Sequence, residues 1–391
     1  MSEAAHTPRL RFPEFSGEWE NEVVGNISNK VTDGTHDTPK PSSTGVPYIT
    51  AIHVKDGVID FDRCYYLSIE EHKKIYSRCN PEKNDILMVN IGAGTATTAL
   101  INIDYEFSLK NVALIKPNKL KSSSKFLVQS LRYKSGRLHH QLTSGGAQPF
   151  LSLKEIKRIK LNLPTKPEQQ KIADFLTAVD NKIEQLSKKQ ALLSEYKKGL
   201  MQQIFSQAIR FKADDGIEFP DWEEKKLGGV GRIRKGSQLN KSELTDTGDY
   251  PAINGGINPS GYTDKWNTGK NTITISEGGN SCGYINFITS KFWSGGHCYS
   301  IEELKGDVLN RFLFQYLKFN EHLIMRLRVG SGLPNIQKGE INNFKVNLPS
   351  LEEQTKIANL LSSIDSKIEQ VGKQLRESKQ FKKALLQQMF V

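Results

Sequence analysis

The sequence predicts a mixed α/β protein in which two globular α/β domains are separated by two long, antiparallel coiled-coil helices, with an internal pseudo-two-fold repeat. Three observations predict this fold class: a sequence repeat, a narrow apolar stripe with helical spacing in each copy, and strand and turn patterns outside the repeat. The chain has 391 residues. That is too many for one ordinary core, at roughly 100 to 200 residues per domain.

The internal repeat is the strongest of these observations. Residues 145–205 and 330–390 align without a gap at a constant offset of 185, with 26 identities among 61 aligned positions. A weaker match at an offset of 203 opens each half and pairs Trp19 with Trp222. The first half is therefore 18 residues longer in its middle. Related ends with divergent middles indicate one architecture that presents two different surfaces.

The repeated segments predict two long helices. Apolar residues recur in both copies at steps of three and four, the spacing of a coiled-coil stripe. Because each stripe is narrow, we expect the two helices to pack against each other; an ordinary amphipathic core helix is the alternative. The residues expected to pair the helices are Ile172, Leu176, Val179, Ile183 and Leu186 in the first copy and Ile357, Leu361, Ile364, Ile368 and Val371 in the second.

The domain boundaries follow from the repeat. We predict a globular domain at 1–165, a central helix at 166–210, a second globular domain at 211–350 and a C-terminal helix at 351–391. Inside the globular regions, the apolar run at 85–91 leads into Gly92, and the run at 271–276 is followed closely by Gly278. Such runs predict strands that end in tight turns, so each domain is expected to be mixed α/β.

The composition favours a polyanionic partner. The formal net charge is +11 and the sequence pI is about 9.2, although charge alone leaves nucleic acid, an anionic membrane and plain surface basicity open. No run of 18 or more apolar residues occurs, and the first residues lack the apolar stretch of a signal peptide, so we expect a cytoplasmic protein. The four cysteines form no Cys-x-x-Cys pair and are expected to be buried, reduced thiols.

The sequence carries no recognisable catalytic motif. It has no Gly-x-x-x-x-Gly-Lys-[Ser/Thr] phosphate loop, no complete Gly-x-Gly-x-x-Gly dinucleotide fingerprint and no Asn-Pro-Pro-Tyr element of the kind found in amino-methyltransferases. We therefore expect no catalytic, cofactor-binding or metal-binding residues in this chain.

Basic residues are concentrated at 116–160, which holds eleven Lys and Arg against a single acid, Glu155. Such a segment is suited to a phosphate backbone, although a solvated charged face without a ligand is the alternative. The corresponding segment 304–345 holds seven Lys and Arg and three acids. The candidates for DNA-backbone contacts are Lys116, Lys119, Lys121, Arg132, Lys134, Arg137, Lys154, Lys157, Arg158, Lys160, Arg326 and Lys338.

Two repeated motifs carry a family resemblance. The element Leu-Pro-x-x-x-Glu-Gln-x-Lys-Ile-Ala occurs at 163–173 and 348–358, and each copy leads into a helix with Asp-x-Lys-Ile-Glu-Gln. An opening Trp-x-x-x-x-Leu/Val-Gly occurs at 19–25 and 222–228. With these motifs in this order, the chain resembles the specificity (S) subunit of type I restriction-modification systems over essentially its full length.

The resemblance implies two target-recognition domains, each reading one half of a bipartite, asymmetric site in double-stranded DNA. The helices would set the unread spacer and dock two methyltransferase subunits. It also implies that this chain is non-catalytic. The methyltransferase subunits would use S-adenosylmethionine to methylate adenine, and restriction subunits would use ATP and Mg²⁺ for translocation and cleavage. The rival from another functional class is a coiled-coil scaffold that binds proteins and whose basic charge is incidental.

The base-reading residues of this family vary with the target, so no motif assigns them here. Asn and Gln can pair bidentately with adenine, and Arg with guanine, so residue type and loop position supply the candidates. Asn and Asp beside glycine are also common turn residues, which is the alternative. The candidates are Asp33, His36, Asn90, Thr95, Gln141 and Gln148 in the first domain and Arg234, Gln238, Asn254, Asn280, Arg328 and Asn335 in the second.

Overall fold

The computed structural model describes residues 7–55, 57–143, 149–330 and 332–391, except for the side chains of residues 142 and 143. The chain divides into two compact units: unit 1 contains Met1–Ser187 and Lys373–Val391, and unit 2 contains Lys188–Gly372. Each unit combines sheets, short helices and a part of each long helix. The predicted mixed α/β class with a duplicated domain is therefore confirmed.

Unit 1 is built around a four-stranded antiparallel sheet. The chain forms β1 (Glu20–Val23), β2 (Ser28–Asp33), β3 (Val46–Thr50), β4 (Val54–Lys55), β5 (Val58–Ile59), β6 (Tyr65–Leu67), α1 (Ile69–Tyr76), β7 (Ile86–Val89), β8 (Thr98–Leu100), β9 (Ser108–Lys110), β10 (Val112–Pro117), α2 (Ser124–Thr143), α3 (Leu153–Arg158) and β11 (Lys160–Leu163), and α4 (Lys166–Phe205) follows. The main sheet has the order β2-β10-β7-β8, a smaller sheet has the order β6-β3-β9, and β1 pairs with β11.

Unit 2 repeats this topology. Its elements are β12 (Glu223–Lys226), α5 (Leu227–Val230), β13 (Arg232–Lys235), β14 (Tyr250–Ile253), β15 (Gly261–Thr263), β16 (Thr272–Ser276), β17 (Ile285–Ile288), β18 (Trp293–Ser294), β19 (Cys298–Glu302), α6 (Asn310–Phe319), α7 (Glu321–Arg326), α8 (Lys338–Asn343), β20 (Lys345–Leu348) and α9 (Leu351–Met389). The main sheet has the order β13-β19-β16-β17, the smaller sheet β15-β14-β18, and β12 pairs with β20. Each unit thus places its first main-sheet strand beside its last one, with the hairpin on the far side.

The additional length of the first half lies between β3 and β7. That stretch of unit 1 contains the β4–β5 hairpin and α1, whereas the described residues between β14 and β16 of unit 2 form only β15. The common sheets are therefore retained while the connections between them differ.

Strand β7 is buried on both faces, which explains why its sequence is a continuous apolar run. Ile86 and Met88 of β7 join the cluster that contains Trp19, while Leu87 and Val89 join a second cluster on the opposite face of the sheet. The strands predicted from the runs at 85–91 and 271–276 are confirmed as β7 and β16. All four cysteines are buried, free thiols, as expected.

Each long helix begins at a buried ion pair. Glu168, which is fully buried, accepts two hydrogen bonds of 2.7 Å from the Arg11 guanidinium and one of 3.3 Å from Trp19 Nε1. Glu353 in unit 2 is equally buried and accepts from Arg210 at 2.8 and 3.3 Å and from Trp222 Nε1 at 3.1 Å. The repeated Trp and Glu of the two motifs are therefore partners in space.

The glutamine that follows each of these acids fixes the domain to the helix. Gln169 Nε2 donates to the Pro164 carbonyl at 2.9 Å, and its Oε1 accepts from Ser123 N, just before α2, at 2.9 Å. Gln354 does the same with Pro349 at 2.9 Å and with Leu309 N, just before α6, at 2.7 Å. One amide side chain thus joins the start of a long helix to the start of a domain helix.

The expected helix-pairing residues of α4 and α9 are all shielded from solvent to some degree. Seven of them are buried, and the other three are partly buried; the partly buried residues are Val179, Ile183 and Ile368. In unit 1, Ile172 and Leu176 share a core cluster with Leu385 and Met389. In unit 2, Met201 and Ile204 share a cluster with Ile357 and Leu361. None of the described helices is long and apolar enough to cross a membrane.

Replacing Glu353 by Ala should strongly destabilise unit 2. The change leaves the Arg210 guanidinium and the Trp222 indole N–H without their acceptor, and breaking a buried ion pair from one side costs about 3–5 kcal/mol. Urea unfolding followed by circular dichroism measures the change in the free energy of unfolding. Glu352→Ala is the matched control, because Glu352 is exposed one residue earlier on the same helix. Equal stability of the two variants would contradict this assignment.

Candidate nucleic-acid interface

In unit 2, four loop segments meet at one end of the main sheet, and three of them carry or adjoin predicted base-reading residues. His297 N donates to Asn254 Oδ1 at 3.1 Å, and Ser281 Oγ donates to Gly255 O at 2.7 Å. Gly279 N donates to Pro334 O at 3.0 Å. These contacts bring together the segments at 253–256, 276–283, 295–297 and 332–336. The structure thereby clusters the loops of Asn254, Asn280, Arg328 and Asn335.

The remaining two candidates of unit 2 are placed differently. Gln238 is exposed and packs beside Gly296, so it borders the same loop cluster. Arg234, in contrast, lies on β13 and pairs with Glu302 at 3.5 Å and with the Asn267 carbonyl at 3.3 Å. Its guanidinium is therefore engaged within the sheet.

Tight turns close the equivalent strand ends in both units. Gly92 follows β7 with φ +91°, and Gly279 follows β16 with φ +73°, a left-handed conformation that favours glycine. Gly92 N donates to Pro149 O at 2.9 Å, which is the counterpart of the contact between Gly279 and Pro334. The prediction that these glycines form strand turns is confirmed.

The first-domain candidates are distributed between buried and exposed positions. Asp33 is buried and pairs with Arg78 and with His36, both at 3.0 Å, and His36 itself is exposed. Asn90 and Thr95 are buried, and Thr95 Oγ1 donates to Gly92 O at 2.6 Å. These contacts supply Asp33 and Thr95 with partners inside the domain. Gln141 is exposed on α2, and Gln148 lies outside the described residues.

The basic segment at 116–160 divides into engaged and exposed cations. Lys116 is mostly buried and pairs with Asp85 at 2.7 Å, and Arg132 pairs with Asp180 at 3.1 Å. Lys134 donates to the Val391 carbonyl at 3.2 Å, and burial, with a smaller contribution from Arg137, lowers its pKa. The exposed members of the predicted set are Lys119, Lys121, Arg137, Lys154, Lys157, Arg158 and Lys160.

Several of the exposed cations border one open cleft of about 460 Å³ in unit 1. Arg137 and Gln141 enter it from α2, and Arg158 and Lys160 enter it from the end of α3 and the start of β11. Lys134 lines it as well, and Glu155 is the one acid among the described residues of its lining. The cleft therefore combines positive charge with an exposed amide. In unit 2, the candidates Arg326 and Lys338 are exposed at the end of α7 and the start of α8.

Two sets of side-chain contacts and one buried acid were not predicted from the sequence. Arg11 and Arg210 lie outside the repeated motifs, yet they complete the buried pairs with Glu168 and Glu353. The repeated acids Asp180 and Asp365 each accept from a glutamine, Gln129 at 2.9 Å and Gln315 at 2.8 Å. The third is Glu277, a buried acid among the unit 2 loops. The sequence repeat marks Asp180 and Asp365, but a repeat does not show which side chain each acid contacts.

A family model for the type I restriction modification DNA specificity domain matches residues 17–194 and again residues 220–377. The chain belongs to the family of type I restriction-modification specificity subunits. It is a DNA target-recognition protein of that family. The two matches coincide with the two copies of the architecture described above.

Individual relatives agree with this S subunit assignment. The type I restriction enzyme MjaVIII specificity subunit of Methanocaldococcus jannaschii is 27% identical over 372 residues, covering 87% of this chain and 84% of the relative. The crystal structure of the S subunit from M. genitalium superimposes with a TM-score of 0.74 at 20% identity, covering 98% of this chain and 99% of that one. A chain from a study of complex assembly in the type I R-M system superimposes with a TM-score of 0.52 at 18% identity, covering 94% and 96%. These structures share the fold.

Proposed function

We propose that this S subunit reads a bipartite, asymmetric site in double-stranded DNA, with one half-site recognised by each unit. The observation that carries the proposal is that both units use one sheet topology but place different loops and side chains at the same end of the sheet. Base readout depends on a few polar side chains, so a shared scaffold with divergent loops suits two different half-sites. In unit 2 the readers would come from Gln238, Asn254, Asn280, Arg328 and Asn335.

The proposed backbone contacts are the exposed cations of unit 1. Lys154, Lys157 and Arg158 lie on α3, adjacent to the cleft that Arg137 and Gln141 line. Exposed cations are available to phosphates, whereas Lys116 and Arg132 are already neutralised by acids. We therefore narrow the backbone surface to the exposed set.

The long helices are proposed to pair antiparallel and to act as the ruler for the unread spacer. Two contacts support this arrangement, each within its own unit. In unit 1, Asp180 of α4 pairs with Lys382 of α9. In unit 2, Lys197 of α4 pairs with Asp365 of α9 at 2.7 Å. Since Asp180 and Asp365, like Lys197 and Lys382, are repeat equivalents, the pairs are related by the pseudo-two-fold repeat.

Two methyltransferase subunits are the proposed partners of the helices. The repeat retains Lys, Glu and Gln at positions whose side chains are exposed: Lys182, Glu184 and Gln185 on α4 and Lys367, Glu369 and Gln370 on α9. Packing within the chain does not require these identities, so one partner that binds twice explains them. The methyltransferases would then use S-adenosylmethionine as the methyl donor, and restriction subunits would use ATP and Mg²⁺.

Replacing Lys154, Lys157 and Arg158 together by Ala should weaken binding to all DNA sequences alike. The negative slope of log K against log salt should become less steep by about 0.9 for each phosphate that is no longer neutralised. Fluorescence anisotropy of the assembled complex at several salt concentrations measures both quantities.

The control for this variant removes equal charge elsewhere in unit 1, at Lys73 and Lys74 of α1 and at Lys83, all of which are exposed. An unchanged slope in the α3 variant, or an equal change in the control variant, would argue against this surface. Loss of discrimination at single bases without a change in slope would also contradict the assignment.

Exchanging residues 222–345 for the equivalent region of another S subunit should alter one half-site and leave the other unchanged. The reason is that base readout is local to each domain. Inserting four residues into each long helix, about 6 Å, should instead change the spacer by one or two base pairs.

Methylome sequencing of cells carrying each variant with the methyltransferase gives the result. If the exchange rewrites both half-sites, or the insertion changes the bases read, the division into readers and ruler is wrong. A chain that assembles with partners but directs no sequence-specific methylation would favour the protein-binding scaffold.

A further inference from the structure

A single buried carboxylate lies at the centre of the unit 2 loop cluster. Glu277 follows β16 directly, and its side chain is 6% exposed. Its Oε1 accepts from Lys235 Nζ at 2.6 Å and from the Tyr299 hydroxyl at 2.9 Å, and its Oε2 lies 3.4 Å from His297 Nδ1. Three other strands or loops therefore direct a polar group at one acid.

The backbone of Glu277 makes further connections between the same segments. Its N–H donates to His297 O at 2.9 Å, and its carbonyl accepts from Ile336 N at 2.8 Å. The Tyr299 hydroxyl also lies 3.3 Å from Ile336 O. The residue thus binds the 295–297 loop from both its side chain and its main chain, and it binds Ile336 from its main chain.

The segments held in this way carry the proposed base readers. Asn254 is linked through His297, whose N–H it accepts, and Asn335 directly precedes Ile336. Asn280 lies three residues after Glu277 in the same loop, which Gly279 joins to Pro334. Several of the proposed readers are therefore connected to the segment of one carboxylate.

The first domain has different chemistry at the same place. The strand registers make Asn90 the counterpart of Glu277, since Asn90 directly follows β7 and Glu277 directly follows β16. Their main chains also make the same contact: Leu151 N donates to Asn90 O, and Ile336 N donates to Glu277 O. The counterparts of Tyr299 and Lys235 are Ala113 and Asp33. The equivalent strand positions therefore carry neither a hydroxyl nor an ammonium donor.

The partners of Glu277 keep its carboxylate ionised. Burial alone would raise the pKa, but the hydrogen bonds from Lys235 and Tyr299, together with the charges of Lys235 and His297, outweigh burial, so the pKa lies below its usual value. Charge-assisted hydrogen bonds of this kind are short and directional, and they define geometry more strictly than neutral ones. The carboxylate is thus suited to hold loops in one arrangement.

We propose that Glu277 is a positioning residue for base readout in the second domain, holding the loops of Asn254, Asn280 and Asn335 in their reading geometry through Lys235, Tyr299 and His297. The inference rests on the proposed function. It goes further, because it makes base discrimination at one half-site depend on a residue that does not itself contact DNA.

The test uses the full-length chain assembled with its methyltransferase subunits. The complexes methylate a plasmid library in which both half-sites are randomised, and sequencing of modified bases gives the discrimination at each position. Glu277→Gln retains the volume but removes the charge, and Tyr299→Phe removes one donor. Glu321→Gln is the matched control, since Glu321 is a part-buried acid of the same unit that pairs with Lys318 at 2.6 Å.

Glu277→Gln should reduce discrimination about tenfold or more at positions of one half-site only, as expected when a bidentate base contact is misplaced. Tyr299→Phe should affect the same positions to a smaller extent, while the other half-site and the Glu321→Gln motif stay unchanged. Unchanged motifs in both the Glu277 and the Tyr299 variant would overturn the proposal. Equal effects in Glu321→Gln, or effects that follow the melting temperature alone, would overturn it as well. A wild-type complex that yields no bipartite motif would overturn the proposed function itself.

Discussion

The buried carboxylate at the start of each long helix is the interaction on which the rest of the architecture depends. Glu168 and Glu353 each accept hydrogen bonds from an arginine in the segment before the domain and from the indole N–H of the tryptophan that opens the domain. The glutamine that follows each acid binds the backbone at the start of a domain helix. Four distant parts of the chain are thus fixed at one point, and a buried charge tolerates no loss of a partner.

A basic residue of this protein is a candidate for binding DNA only if it is not already paired inside the fold. The segment at 116–160 contains eleven cations, but Lys116 and Arg132 pair with acids inside unit 1, and Lys134 donates to a main-chain carbonyl. Most of the remaining cations are exposed on α3 and along one cleft. The same principle separates Arg234, which pairs within its sheet, from Arg328, which stays exposed at the loop cluster.

The fold was largely predictable because its signals are local and duplicated. The all-apolar run of β7, the stripes of α4 and α9 and the repeated Glu-Gln pair all appear in short windows of sequence. The partners of the motif residues were not predictable, since Arg11 reaches Glu168 across 157 positions and no local pattern records that contact. Asn90 shows the limit of residue type as a guide: its loop position suggested a base reader, yet its side chain is buried beneath the loops.

The unequal chemistry beneath the two sets of loops has a consequence in acid. A carboxylate whose pKa is lowered by its partners stabilises the fold above its unfolded pKa and loses that contribution as the pH falls through the lower, folded value. Glu277, facing Lys235, His297 and Tyr299, is such a group, whereas an amide occupies the equivalent position of the first domain and does not titrate. Acidification therefore weakens a contact beneath the loops of unit 2 that has no counterpart at the equivalent position of unit 1.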